Sequence, residues 1–316
     1  MSALSRPVGP SDVPRVVVLG DLVVDVVLLP TRPLVSGTDV PGRISLRQGG
    51  SAATTARWLG KLGIHSTLVC AVGRDGAGRA LVARVANDGV HVAATRVAGV
   101  RTGRIGVVVE PGGERSFVAD RGAADRLRPD DLKDSWFERV DLVHLPVYSL
   151  LAQPLGEAAR AAVTRARGAQ ARVSIDLASI GPLLANGVRA ARLLVREVTP
   201  DLVLATAAEA QALVGGRVEG LTEIAPIAVV KRGPRGATIL AREDDGILRF
   251  EVATKPLPAT DTTGAGDAFD AGFIAAWLDA DRRGMPLPAA LQRAAVAGHR
   301  AAARHMASAP AELPPG

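Results

Sequence analysis

The chain has 316 residues, of which 47% are hydrophobic, and its 38 Lys and Arg residues exceed its 32 Asp and Glu residues to give a formal charge of +6. This length fits two domains, or one α/β domain with an appendage, at roughly 150 residues a domain. The arginines are scattered, and only five Phe, three Trp and one Tyr are available for base stacking, so we expect no nucleic-acid partner.

The two ends of the chain and its single cysteine indicate where in the cell the protein is expected. Residues 1–14 and 308–316 are rich in Pro, Ser and Gly, which predicts disordered termini. The N-terminal stretch lacks the apolar centre of a signal peptide, and no apolar run is long enough to span a bilayer. We therefore expect a cytoplasmic protein without a membrane partner. Cys70 is the only cysteine, so no intrachain disulfide forms, and its apolar neighbours predict a place in the core.

Short apolar runs alternate along the chain with segments of helical periodicity. The runs that predict buried strands are residues 15–20, 66–72, 141–147, 171–177, 201–205 and 227–233. Helical spacing occurs at residues 52–62, 155–167 and 184–196. The alternation predicts an α/β fold whose mostly parallel central sheet is covered on both faces, with a ligand site beyond the carboxyl ends of the strands.

Two segments interrupt this alternation. Residues 23–48 and 97–122 are rich in β-branched residues and turns, and the sequence "EPGGERS" in the second is typical of a hairpin turn. Together they predict a small β-sheet that stands over the strand ends as a lid. Its edges would pair over the site or with a second subunit, so a homodimer through the lid is one expectation.

The stretch "ATDTTGAGDAFDAGF", residues 259–273, places glycines and threonines before a helix that we expect through residues 269–278. Three side chains could cap this helix: Asp261, Thr262 or Thr263. The amides of Ala265, Gly266 and Asp267 would then point outward as an anion hole for a phosphate. A carboxylate beside a phosphate makes sense if Asp267 accepts a proton from the attacking hydroxyl. The simpler alternative is a capped helix in which Asp267 only interacts with the helix dipole.

This stretch resembles the C-terminal motif of the ribokinase-like, or PfkB, carbohydrate kinases. The sequences "RQGGSAATTARWLGKLG" and "VGRDGAGRALVARVANDGV" resemble the N-terminal counterpart, and the strand layout and both lid segments also fit. The resemblance covers nearly the whole chain and implies a three-layer ribokinase-like sandwich over residues 15–307. It further implies transfer of the ATP γ-phosphate, with magnesium, to a hydroxymethyl group of a sugar or nucleoside.

The resemblance also implies roles for individual residues. Asp267 would be the catalytic base, beside an anion hole formed by Gly264, Ala265 and Gly266. The remaining positions would bind substrate (Asp25, Gly49, Gly50 and Thr54), bind nucleotide (Lys231, Gly233 and Thr206) or organise magnesium through water (Glu209). From the sequence alone, Asp25 is equally well an exposed polar residue, and a lysine at a strand end is more often solvated.

Two positions depart from the family pattern. Thr54 stands where the family has an asparagine in the glycine-pair motif, and it offers one hydroxyl in place of an amide that both donates and accepts. In "TAAE", Thr206 stands at the asparagine position of the family's Asn-x-x-Glu motif, and Glu209 is retained. The hydroxyl pattern of the substrate and the organisation of the metal are therefore the least defined features.

Other motifs speak against competing classes. Lys61 is followed by Leu62, so no P-loop is present, and the glycine spacing of "GRDGAGRAL" does not match a dinucleotide fingerprint. The five histidines show no metal-ligand spacing. The alternatives that stay open are a nucleoside kinase of the same fold, disfavoured because Phe117 is the main aromatic of the lid segments, and a sugar-binding regulator without catalysis.

Overall fold

The structure is a computed structural model that describes residues 13–112, 114–256, 262–308 and 311–313. Asp261, one of the three possible helix caps, lies outside the described residues, as do most of the two termini for which disorder is expected.

The described residues form thirteen strands. In chain order they are β1 (Arg15–Leu19), β2 (Val23–Pro30), β3 (Gly42–Gly49), β4 (His65–Gly73), β5 (His91–Val97), β6 (Thr102–Val109), β7 (Arg115–Gly122), β8 (Leu142–Pro146), β9 (Arg172–Asp176), β10 (Leu202–Thr206), β11 (Ile227–Lys231), β12 (Ala237–Glu243) and β13 (Gly246–Val252).

The same residues form nine α-helices. These are α1 (Ser51–Lys61), α2 (Gly76–Ala86), α3 (Tyr148–Leu151), α4 (Leu155–Gly168), α5 (Ile180–Leu184), α6 (Gly187–Glu197), α7 (Ala207–Val214), α8 (Ala265–Arg282) and α9 (Leu287–Ala307). Short 3-10 helices span Ala123–Arg126, Pro129–Asp131, Asp134–Trp136, Val218–Glu223 and Gly233–Arg235.

Nine of the strands form the central sheet, in the order β13-β12-β11-β10-β9-β8-β1-β4-β5. Within this order, the seven strands from β11 across to β5 are parallel to one another, whereas β12 is antiparallel to β11 and β13 is antiparallel to β12. This confirms the predicted α/β fold and all six predicted strands. Those six are continuous apolar runs because parallel strands are buried on both faces. The sequence analysis missed the two edge strands β5 and β13, whose partial exposure interrupts the apolar run, and also β12, which lies between β13 and β11.

Alternate residues of each central strand supply two separate cores. Val17 and Leu19 of β1 face one core, whereas Val16 and Val18 face the other, as the period of two in a strand requires. The first core is covered by α4 and the second by α1, α8 and α9. Cys70 is fully buried in the second core, as predicted.

The predicted helices are present with shifted bounds. The helix predicted at residues 184–196 is α6, which begins at Gly187, because Gly187 has a positive φ of 85° and separates it from α5. The helix expected through residues 269–278 is longer at both ends and forms α8. None of the helices in the described part of the chain has the combination of length and hydropathy that a bilayer span requires.

The two interrupting segments form a second, four-stranded sheet, in the order β3-β2-β6-β7. The hairpin turn predicted at "EPGGERS" joins β6 to β7, and the Glu110 amide donates to the Glu114 carbonyl across it at 2.8 Å. We call this the small sheet. Near the C-terminus, Glu312 forms an isolated antiparallel bridge with Arg47 of β3 and an ion pair with Arg43. Residues 312 and 313 therefore contact β3 of the small sheet, and disorder of the terminus as a whole stays a prediction.

Candidate active site

Helix α8 begins with backbone groups directed away from the helix. Gly264 is its N-cap residue, in the left-handed region with φ of 80°, and a glycine has no side chain with which to cap the helix. The predicted N-cap position at Thr262 or Thr263 is therefore wrong, because the N-cap is Gly264, and the Thr262 carbonyl closes a turn with the Ala265 amide at 3.1 Å. That bond uses the Ala265 amide, which we expected to be part of the anion hole. The amides of Gly266 and Asp267 have no backbone acceptor among the described residues, so these two remain for an anion.

The carboxylate of Asp267 lies between α8 and α1. Its Oδ1 accepts a hydrogen bond of 2.5 Å from the Ser51 hydroxyl, the first residue of α1. Burial raises the pKa of Asp267 to about 8; the charges of Asp176 and Asp21 act in the same direction, whereas the Ser51 bond and Lys231 oppose the shift. A pKa near the working pH suits a group that takes up and returns a proton.

The glycine pair before α1 lies against two aspartates. A Cβ at Gly49 would overlap the carboxylate of Asp25, which is half-buried on β2. Gly50 has φ of 100°, and a side chain there would collide with the Asp21 carbonyl. Only glycine fits this backbone path, and the pair thereby brings the end of β3 and the start of α1 next to Asp21 and Asp25.

Thr54 contacts the α8 loop as well as its own helix. Its hydroxyl donates to the Gly50 carbonyl one turn earlier at 3.0 Å. Its methyl group would lie 3.2 Å from a Cβ at Gly264. Part of its hydrogen-bonding capacity is thus used within α1, and its predicted contact with substrate stays a prediction.

Lys231 is not a solvated strand-end lysine. Its Nζ lies 3.0 Å from Asp176 Oδ1 and 2.9 Å from Asp270 Oδ1, and all three side chains are at most 10% exposed. Burial lowers the pKa of Lys231, but the charges of Asp176, Asp270 and Glu209 outweigh it and raise the pKa above the ordinary value. A Cβ at Gly266 would be 3.5 Å from this ammonium, so the cation lies directly beneath the start of α8.

Thr206 and Glu209 form a capping box at the start of α7. The Glu209 Oε2 accepts from the Thr206 amide at 2.8 Å, and the Thr206 hydroxyl accepts from the Glu209 amide at 3.3 Å. The pattern Thr-x-x-Glu is the sequence signature of this motif and was available from "TAAE". Burial, followed by the charge of Asp176, raises the pKa of Glu209. Gly233 lies in an exposed turn directly after β11, with nothing within 4 Å of where its Cβ would be.

The structure adds charged residues that the sequence analysis missed. The Arg121 guanidinium, at the end of β7, lies 3.3 Å from Asp21, 2.8 Å from Asp125 and 4.9 Å from the centre of the Tyr148 ring. Arg115, on the same strand, donates to the Thr262 hydroxyl at 3.2 Å. The small sheet therefore brings two cations to the edge of the site.

Comparison with known proteins agrees with this arrangement. A profile of the pfkB family carbohydrate kinases matches residues 13–313. A fructokinase of Salmonella typhimurium is 32% identical over 276 residues, which cover 83% of each chain. Among solved structures, an adenosine kinase from Sinorhizobium meliloti has a TM-score of 0.78 at 23% identity and covers 93% of this chain and 94% of its own. A fructokinase from Vibrio cholerae O395, in its fructose, ADP and calcium ion bound form, has a TM-score of 0.75 at 22% identity and covers 93% of this chain and 92% of its own.

The two structural likenesses establish the fold, which is ribokinase-like. The family match extends over nearly the whole chain and includes the glycine pair, the Lys231 strand and the start of α8. The chain belongs to the pfkB family of carbohydrate kinases and is an ATP-dependent carbohydrate kinase.

Proposed function

We propose that the protein transfers the γ-phosphoryl group of ATP to a hydroxymethyl group of a small sugar, with Asp267 as the general base. The observation that carries this proposal is the start of α8, where a half-buried carboxylate with a raised pKa adjoins two backbone amides that have no backbone acceptor in the described structure. Ser51 occupies Oδ1 of Asp267, so we assign Oδ2 to the substrate hydroxyl.

The proposed step is a direct transfer that needs no covalent enzyme intermediate. The sugar hydroxyl oxygen forms a bond to the γ-phosphorus as the bond from this phosphorus to the bridging oxygen of ADP breaks, and the hydroxyl proton moves to Asp267. The amides of Gly266 and Asp267 and the Lys231 ammonium beneath them would stabilise the charge on the transferred group. Asp25, beside the glycine pair, would accept from sugar hydroxyls, and Gly233 would lie along the nucleotide.

Magnesium is implied by the family, and the oxygen donors near β10 suit a hard cation. Among the described residues, no group of three or more His, Cys, Asp or Glu side chains is placed to hold a metal ion. Glu209, with Thr206 beside it, would therefore hold the ion through water. Magnesium would supply charge neutralisation to the phosphates.

A coupled ADP-release assay tests the function. The Salmonella relative is a fructokinase and the Vibrio structure is of a fructose complex, so we expect sugar-dependent ADP release with fructose or a related ketose. The panel should contain ribose, fructose, fructose phosphates, 2-keto-3-deoxygluconate, adenosine and pseudouridine. Turnover of only the nucleosides would establish the nucleoside kinase alternative. Sugar binding without any ADP release would establish the regulator.

The Thr206 position yields a prediction about metal dependence. An asparagine amide can accept from and donate to metal-bound water, whereas threonine offers one hydroxyl, which here also accepts from the Glu209 amide. We expect Thr206→Asn to lower the free magnesium needed for half-activation at fixed MgATP on the order of 10-fold. Thr206→Ser keeps the hydroxyl and the cap, so its titration should match wild type. Overlapping curves for all three proteins would remove Thr206 from the metal network.

We also propose a homodimer through the small sheet. Leu46, Val26, Gly106 and Val118 form one row across all four strands, and Leu46 and Val118 are 44% and 74% exposed. An uncharged stripe that reaches both edges can pack on its own copy about a two-fold axis. Sedimentation at micromolar concentration should show a dimer that Val118→Asp converts to a monomer. Asp244, in a loop of the central sheet, provides the control Asp244→Asn, which should stay dimeric. A monomeric wild type would contradict the proposal.

A further inference from the structure

His305, near the end of α9, contacts the loop that precedes α8. Its Nδ1 lies 2.9 Å from the Trp58 indole nitrogen, and its Nε2 lies 2.6 Å from the Thr263 carbonyl oxygen. The indole N–H can only donate, so Nδ1 must accept, and the ring proton is therefore on Nε2. These partners assign His305 as a neutral imidazole that donates a hydrogen bond to the backbone next to Gly264.

The same ring also limits the space around Gly264. A Cβ at Gly264 would be 3.1 Å from His305 Cε1 and 3.1 Å from Nε2, with the Thr54 methyl group at 3.2 Å on another side. The imidazole and this methyl group thus form a wall against the N-cap residue of α8. This wall leaves room for a glycine in the left-handed conformation, and a larger residue would have to displace it.

Three residues of helix α1, each about one turn after the last, connect it to the start of α8. Ser51 donates to Asp267, Thr54 packs on Gly264, and Trp58 holds His305, which in turn binds Thr263. Residues at i, i+3 and i+7 lie on one face of a helix, so these three contacts form a single line along α1. The helix that begins just after Gly49 and Gly50 therefore also supports the loop that precedes α8.

We propose that His305 is a positioning residue for the phosphate loop, residues 262–267. It fixes the Thr263 carbonyl, and through it the left-handed Gly264, so that the amides of Gly266 and Asp267 keep pointing outward from the start of α8. Both ring nitrogens are occupied by protein groups, so His305 acts through the loop and does not bind substrate. The inference rests on the proposed function only where it assigns this loop to the transferred phosphate.

The test compares four variants with wild type. His305→Leu removes both hydrogen bonds, His305→Gln keeps an N–H that can reach the Thr263 carbonyl, and Trp58→Phe removes the indole donor. His299→Leu is the matched control, because His299 also lies on α9 and packs edge-on against Phe269 of α8 at 5.0 Å. Two readouts are measured: hydrogen exchange of the 262–268 amides in the protein without ligands, and kcat and sugar KM.

In His305→Leu we expect exchange of the loop amides to be faster, and kcat to be lower, each on the order of 10- to 100-fold. The sugar KM should stay within about 2-fold of wild type. His305→Gln should recover part of both effects, and Trp58→Phe should be intermediate. Loop exchange in His305→Leu equal to that in His299→Leu would overturn the proposal, as would equal losses of kcat in the two variants. The exchange measurement needs no substrate, so it decides the role of His305 even if the proposed phosphoryl transfer fails.

Discussion

Asp267→Asn is expected to lose about 10²- to 10⁴-fold in kcat while it retains ATP and sugar binding, because an amide cannot accept the hydroxyl proton. Asparagine has nearly the same shape, and its amide oxygen can still accept the hydrogen bond from Ser51. The loss should therefore appear in kcat, measured by ADP release, with the affinity for nucleotide measured separately by calorimetry.

The pH profile gives an independent check on the same carboxylate. The base must be ionised to act, and burial places the pKa of Asp267 at about 8, so wild-type kcat/KM should rise with pH through that value. Asp267→Asn should lack this acid limb. Asp279→Asn, the same substitution on the same helix but among arginines at the surface, should keep both the rate and the limb. If Asp267→Asn retains more than about a tenth of wild-type kcat, the carboxylate only stabilises the helix start.

The central fold could be predicted because its signal is local. Strands such as residues 201–205 are buried on both faces and therefore appear as continuous apolar runs. The start of α8 was recognisable because Gly264 and Gly266 lie where a helix begins, which costs stability unless the backbone approaches a ligand. The edge strand β13 has no continuous buried run, and it follows β12 with no helix between them, so neither an apolar run nor the alternation of strand and helix indicated it.

The charged interior of the site could not be predicted in the same way. Asp176 ends β9 and Asp270 lies inside α8, and each is an ordinary residue of its own segment. They meet only because β9 and β11 end at the same edge of the sheet, beneath the first turn of α8. The tie from Trp58 through His305 to Thr263 likewise joins residues that are 247 and 42 positions apart. Such contacts depend on the register of whole elements, which no short motif encodes.

Lys231→Met is expected to destabilise the protein by about 3–5 kcal/mol, because it leaves Asp176 and Asp270 buried without a cation. The two carboxylates are 6% and 0% exposed, so water cannot replace the ammonium. Methionine has a similar length and fills most of the space, which keeps a cavity from accounting for the loss. Urea denaturation at neutral pH measures the free energy of unfolding.

A compensating substitution and a surface ion pair serve as controls for the Lys231 prediction. Asp270→Asn added to Lys231→Met removes one of the two unpaired charges and should restore a large part of the lost stability. Arg283, the C-cap residue of α8, pairs with Asp279 of that helix while 66% exposed, so Arg283→Ala should cost no more than about 1 kcal/mol. A loss for Lys231→Met as small as that of the surface variant would contradict a buried ion cluster. Failure of Asp270→Asn to restore stability would show that Lys231 acts mainly on Asp176, the carboxylate at the end of β9.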